Sequence, residues 1–197
     1  DNAIVTGCDI ASEFVISGFQ SLHALSDEPC KPYDFERKGL TLGEGCGTMI
    51  LTTNKTRVNK PEEILVVDGA VSNDANHISG PSRTGEGLSL VMEKILKETK
   101  IDTANHGFIS AHGTATIYND EMEAQAISSS GLEMTPVHSL KGYYGHTLGA
   151  EGIIESIIAT NGLIKNKLIK SLGCEKLGVS KPLNVIRQAE EKPLNNC

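Results

Sequence analysis

Ile109-Ser-Ala-His-Gly-Thr-Ala-Thr116 and Lys141-Gly-Tyr-Tyr-Gly-His146 are the two stretches on which the reading of this chain turns. Each follows a short apolar run, Gly107–Ala111 and Met134–Leu140, that reads as a strand ending in polar residues before a helix. In open α/β sheets the carboxyl ends of strands are where loops and helix N-termini converge on ligands. Two such endings carry between them two histidines and a lysine. Those residue types suit the stabilisation of negative charge.

Outward from these loops, the second part of the chain alternates. Strands are expected at Ile64–Ser72, Gly107–Ala111, Met134–Leu140 and Leu168–Leu172. Helices are expected at Gly85–Thr99, Asp120–Ser130 and Gly149–Leu163, the first and last with apolar residues at helical spacing. This order predicts an α/β fold with a mostly parallel sheet covered by helices. Upstream, Ala3–Cys8 reads as a buried strand with no preceding element to pair against, and Glu13–Leu25 as a helix. Gly43, Gly45 and Gly47 allow close backbone approach before a strand at Thr48–Thr53. Asn54–Pro61 has linker composition, and Pro182–Cys197 reads as a polar tail.

Composition narrows the function classes. The 197 residues are 39% hydrophobic and 22% charged, the balance of a soluble globular protein. A net charge of −7 argues against general binding to nucleic acid or anionic membrane, which both require basic surface. Five scattered cysteines (Cys8, Cys30, Cys46, Cys174, Cys197) form no CxxC pair, so neither a zinc site nor a disulfide framework is expected. A reducing, cytoplasmic setting fits that usage. No apolar run reaches the length of a membrane helix.

Four stretches together make the chain recognisable: Pro32-Tyr-Asp-Phe-Glu-Arg-Lys-Gly-Leu40 with Gly43-Glu-Gly-Cys-Gly47; Asp74-Ala-Asn-His-Ile-Ser-Gly-Pro81; Ala111-His-Gly-Thr-Ala-Thr116 with Asn119-Asp-Glu-Met-Glu123; and Lys141-Gly-Tyr-Tyr-Gly-His-Thr-Leu-Gly-Ala150. In order and spacing they resemble the C-terminal part of the β-ketoacyl-acyl-carrier-protein synthases, elongating condensing enzymes of the thiolase superfamily. The resemblance implies a thiolase-like fold of two similar halves, each a mixed five-stranded sheet with helices on both faces. Residues 1–53 would end the first half, 54–61 would link, and 62–197 would form most of the second, so the fold would be incomplete.

The same resemblance implies decarboxylative Claisen condensation of malonyl-acyl-carrier-protein with an acyl thioester, in fatty acid or polyketide elongation. His112 and His146 would donate through Nε2 to the thioester oxygen on which decarboxylation places charge. Lys141 would hold His112 electrostatically and fix its tautomer, and Glu123 would pair with Lys141. Thr114 and Thr116 would hydrogen-bond the phosphopantetheine arm, with His77 and Ser79 at the tunnel entrance. Arg37 would lie at the docking face for an acidic acyl carrier protein. No metal and no resident cofactor are implied, since phosphopantetheine arrives on the carrier, and a dimer is implied for the full-length protein. His23, His106 and His138 read as ordinary surface or core histidines.

Two departures stand out. The family's nucleophilic cysteine turn does not occur in this sequence, so the chain is expected to be inactive in condensation by itself. Tyr143 and Tyr144 replace smaller residues and are expected to narrow the site. A non-catalytic partner subunit of the chain-length-factor type is the alternative, and the retained His112, Lys141 and His146 count against it. A thiolase proper would use a second cysteine near the C-terminus, whereas the Lys141–His146 loop points to decarboxylation.

Overall fold

A computed structural model describes residues 1–53, 63–74, 76–77, 80–101 and 107–197. The expected linker at 54–61, Ser79 and His106 lie outside the described residues.

The first strand finds its partner downstream. β1 (Asn2–Asp9) pairs antiparallel with β2 (Gly45–Thr52), with Gly7 opposite Gly47. Those two glycines face a helix: a Cβ on Gly7 would lie 3.0 Å from the Gly149 carbonyl oxygen and 3.0 Å from Ile153 Cγ2. Between the strands, α1 (Glu13–Ser21) starts at Ser12, whose hydroxyl accepts the Val15 N–H at 3.4 Å. It stops short of the expected Leu25. His23 adopts a left-handed φ of 51°, and the chain turns so that Leu25 bridges to Leu40.

The second part builds the centre. α2 (Glu86–Thr99) packs on α3 (Ile117–Ser129), where the Ser89 and Ser129 hydroxyls meet at 2.8 Å. β3 (Ile109–Ser110), β4 (Pro136–His138) and β6 (Asn184–Val185) form a parallel sheet in the order β3-β4-β6. After β4 come the short α4 (Lys141–Tyr144), a 3₁₀ turn at Leu148–Ala150 and α5 (Glu151–Ile164). β5 (Lys167–Leu168) then pairs antiparallel with β7 (Glu190–Glu191).

Strand alternation sends side chains to both faces of the central sheet. On one face Ala111 and Val137 pack with Ala124 and Ile127 of α3. On the other Phe108 packs with Ala159 and Leu163 of α5. The sheet lies between the two helices, the layering expected of an α/β domain.

Two expectations are corrected. Residues 182–197 are no polar tail: Leu183, Val185, Ile186 and Leu194 are buried, and β6 completes the central sheet. Single apolar residues spaced among polar ones carry little periodic signal, so pairing with β4 decides their burial. Conversely, Ile64–Ser72 forms no ladder, and Leu65, Val66 and Val71 are exposed. An apolar run becomes a strand only where an edge receives it, and none of the described strands does. The expected strands at 107–111, 134–140 and 168–172 are present but shorter, whereas those at 3–8 and 48–53 are longer, and the first of these is mostly exposed rather than buried.

Candidate active site

The loop after β3 is held by backbone donors. The Ala111 N–H reaches the His138 carbonyl at 2.9 Å, which fixes the exit of the strand. Gly113 and Ala115 then adopt left-handed φ values of 43° and 63°. For alanine that conformation costs on the order of 1–2 kcal/mol. It is held because the Ala115 N–H donates to Asp120 Oδ1 at 3.1 Å. The buried Glu123 carboxylate accepts the N–H groups of His112 (2.9 Å) and Gly113 (2.6 Å), the Tyr33 hydroxyl (3.0 Å) and the Asn119 amide (3.0 Å). Glu123 therefore shapes the His112 loop. It does not pair with Lys141, contrary to expectation, because its oxygens are taken by these four donors.

The second loop is held against the first part of the chain. The His146 N–H donates to the Thr41 carbonyl at 2.7 Å, and Gly43 N–H to the His146 carbonyl at 3.0 Å. A Cβ on Gly43 would come within 1.8 Å of the Tyr144 carbonyl oxygen, which explains the first glycine of the Gly43-Glu-Gly-Cys-Gly47 run.

These restraints bring His112 and His146 together, with ring centroids 5.1 Å apart and planes at 89°. Behind them lies Glu151 at the start of α5. Its Oε1 is 2.5 Å from His112 Nδ1 and 2.6 Å from Lys141 Nζ, and its Oε2 is 2.6 Å from His146 Nδ1. Lys141 Nζ also reaches Glu155 Oε1 at 3.1 Å and donates to the His112 carbonyl. The Lys141 side chain is fully buried. It grips the His112 backbone rather than its ring, so the contact that fixes the ring comes from Glu151.

Electrostatics separate the two glutamates. Burial works to raise the Glu151 carboxyl, but hydrogen bonds from both histidines and the Lys141 charge outweigh it and hold the group well below the usual carboxylate range. Glu155 is raised, chiefly by burial, which Lys141 offsets only in part.

His112 and His146 line a cleft of about 1030 Å³ together with Thr114, Thr116, His77 and Phe19. Thr114 and Thr116 share a hydroxyl contact of 2.9 Å, and Thr116 also caps α3 by accepting the Asn119 N–H. Arg37 is not on an open docking face. It is 9% exposed, donates to the carbonyls of Asp34 (3.0 Å) and Gly178 (2.6 Å), and lies 3.7 Å from Asp120. Its charge answers that carboxyl, which burial pushes up to about 7. Nor do the two tyrosines narrow the cleft: neither lines it, and the Tyr143 hydroxyl donates to the Lys170 carbonyl at 3.0 Å.

His112, His146 and Glu151 are also the donor set for a metal ion among the described residues. Their N···O separations of 2.5 and 2.6 Å are hydrogen-bond lengths. Two donors on one zinc ion, each about 2.0–2.1 Å from it in tetrahedral array, would lie roughly 3.3 Å apart. Lys141 already supplies a cation to the carboxylate. The cluster reads as a hydrogen-bonded one.

Residues 64–175 match the model of the β-ketoacyl synthase C-terminal domain, and residues 1–57 that of the N-terminal domain. The chain belongs to the β-ketoacyl synthase family. It is 32% identical to 3-oxoacyl-[acyl-carrier-protein] synthase 2 of Vibrio cholerae over all of this chain and 52% of that protein. Among solved structures, the ketosynthase ApeO in complex with its chain length factor ApeC, from Xenorhabdus doucetiae, superposes with a TM-score of 0.87 at 33% identity, covering 100% of this chain and 48% of that one. AntDE:AntF, an acyl-carrier protein in complex with its ketosynthase, superposes with a TM-score of 0.86 at 26% identity, covering 98% and 51%. The fold is thiolase-like, and the chain spans about half the length of the Vibrio cholerae synthase.

Sequence reasoning missed Glu151 and Glu155. Their signal was present: two carboxylates at i and i+4 on a helix otherwise lined with Ile153, Ile154, Ile157 and Ile158.

Proposed function

We propose that this chain supplies the decarboxylation half of a β-ketoacyl synthase site, for a malonyl thioester carried on the phosphopantetheine of an acyl carrier protein. The observation that supports it is the meeting of His112 and His146 at one cleft, with a buried ammonium behind them. Loss of CO2 from a malonyl thioester leaves an enolate whose negative charge rests on the thioester oxygen. A preorganised imidazole N–H in a site shielded from water stabilises that charge. Thr114 and Thr116 hydroxyls, which both donate and accept, suit the amides of the pantetheine arm. The enolate then attacks an acyl thioester, which requires a nucleophilic thiol that none of these residues provides. The apolar 63–74 stretch gives surface for a first half or a second copy to cover, as in a homodimer.

Binding of malonyl-pantetheine followed by amide NMR tests this reading. The signals of Gly113–Thr116 and of His146 should shift on titration, and no acyl group should appear on a protein thiol. Shifts confined to other surfaces, or acyl transfer to one of the five cysteines, would contradict it.

A further inference from the structure

The register of the first two strands sets two thiols against each other. Cys8 of β1 lies directly opposite Cys46 of β2, and both are exposed. The kind of opposition follows from the end of the ladder. One step beyond the Asn2–Thr52 pair, the Thr53 N–H donates to the Asp1 carbonyl at 2.9 Å, so that pair is hydrogen-bonded. Hydrogen-bonded and non-hydrogen-bonded pairs alternate along an antiparallel ladder. Counted from Asp1 and Thr53 through an unbroken register, Cys8 and Cys46 form a non-hydrogen-bonded pair.

In such a pair the Cα atoms come to about 4.5 Å and the side chains lie close together. The neighbouring pair of the same kind, on the same face, shows the closeness: the Thr6 and Thr48 hydroxyls meet at 3.1 Å. A disulfide spans Cα separations of about 4.4–6.8 Å, so the two sulfurs can join without a change of register. Their contact is also felt electrostatically, since a hydrogen bond to the Cys46 thiol raises the Cys8 thiol above its ordinary value. The buried Cys30 is engaged elsewhere, its thiol donating to the Lys141 carbonyl at 3.1 Å. No CxxC spacing announces this pair, because opposition across a ladder leaves no mark in sequence distance.

We propose that Cys8 and Cys46 form a redox-sensitive modification site, closing to a cross-strand disulfide when a small disulfide of the oxidised-glutathione class is present. One cysteine thiolate attacks the small disulfide, breaking its S–S bond, forming a mixed disulfide and releasing one small thiol. The other cysteine thiolate then attacks the protein sulfur of the mixed disulfide, closing the bridge and releasing the second small thiol. The two cysteines lose two electrons to the oxidant, and their two protons leave on the released thiols. Exposed disulfides are the readily reduced class, so the bridge opens again in a reducing setting. The bridge bears on the cleft through the loop it closes. That loop carries Gly43, whose N–H donates to the His146 carbonyl, Thr41, whose carbonyl accepts the His146 N–H, and Phe19, tilted against the His146 ring at 6.3 Å. This goes beyond the malonyl-thioester reading and does not depend on it.

The test treats the folded 197-residue chain with oxidised glutathione, digests it without reduction and maps the peptides by mass. Cys8 and Cys46 should be recovered joined within one chain, and dithiothreitol should separate them. The urea midpoint should rise on oxidation of wild type, because a bridge restricts the unfolded chain, and should stay in place for C8S and C46S. Glutathione retained on Cys8 or Cys46 with no bridge between them would overturn the proposal. Bridges made instead to Cys197 or to a second chain, or a Cys8–Cys46 bridge that forms only in urea, would do the same. The wild-type map decides by itself if a variant fails to fold. No thioester enters the experiment, so its outcome stands apart from that of the malonyl-pantetheine titration.

Discussion

His138 lies inside the sheet, 1% exposed, with Nδ1 3.2 Å from the Ile169 carbonyl and Nε2 3.2 Å from the Ser110 hydroxyl, its ring tilted against Phe108. His112 follows β3 with its side chain 43% exposed and Nδ1 on a carboxylate. Both rings carry the Nδ1 proton, but their surroundings give them different work. Burial lowers the His138 pKa to about 4 although the hydrogen bond to the Ile169 carbonyl works to raise it, so the ring stays uncharged and cements the sheet. His112 has an anion behind it and the cleft before it. The two rings therefore differ in the charge of the group on Nδ1 and in that His112 alone lines the cleft.

The largest expected effect comes from breaking the charged side of this contrast. K141A leaves the Glu151 and Glu155 carboxylates buried without their cation, and stability should fall by about 3–5 kcal/mol in urea denaturation. A loss below ~1 kcal/mol would show that water replaces the ammonium freely.

The neutral side is sharpened by pH. Because the folded pKa of His138 lies below its ordinary 6.5, the folded state binds fewer protons between the two values. Its contribution is complete above pH 6.5 and is lost as pH falls toward about 4, amounting to roughly 3 kcal/mol. Asp120, raised by burial to about 7, works in the opposite direction across that whole window, so the comparison must be made against a variant. The stability gap between wild type and H138N should shrink by that amount from pH 7 to pH 4. A constant gap would deny that His138 is buried neutral.

E123Q should cost about 2 kcal/mol, since an amide nitrogen then meets one of the N–H donors that hold the His112 loop. The smallest effect is expected from T116A, which removes the α3 cap for ~1 kcal/mol while also opening the cleft wall. Both are read by thermal denaturation.

The helices α2 and α5 were legible because apolar periodicity survives any tertiary context, whereas α3 buries Asp120 and Glu123 and shows no such stripe. The pairing of His112 with His146 was legible only through the motifs, since nothing in spacing brings residues so far apart in sequence to one cleft. Glu123 was assigned the wrong partner because a helical carboxylate's position does not reveal which loop amides will turn toward it. Arg37 looked like a docking cation, and only the fold shows it enclosed by the Asp34 and Gly178 carbonyls. Ile64–Ser72 had strand composition but no edge to join among the described strands.

The contrast between the two kinds of histidine is tested most directly by CO2 release from malonyl-pantetheine, measured for the wild-type chain, H146A and H138N at pH 7. The account predicts that H146A lowers the rate by about 100-fold or more, the effect of losing an oxyanion donor. H138N should leave the rate of the folded protein unchanged. Equal losses in both variants, or an H146A rate equal to wild type, would contradict it.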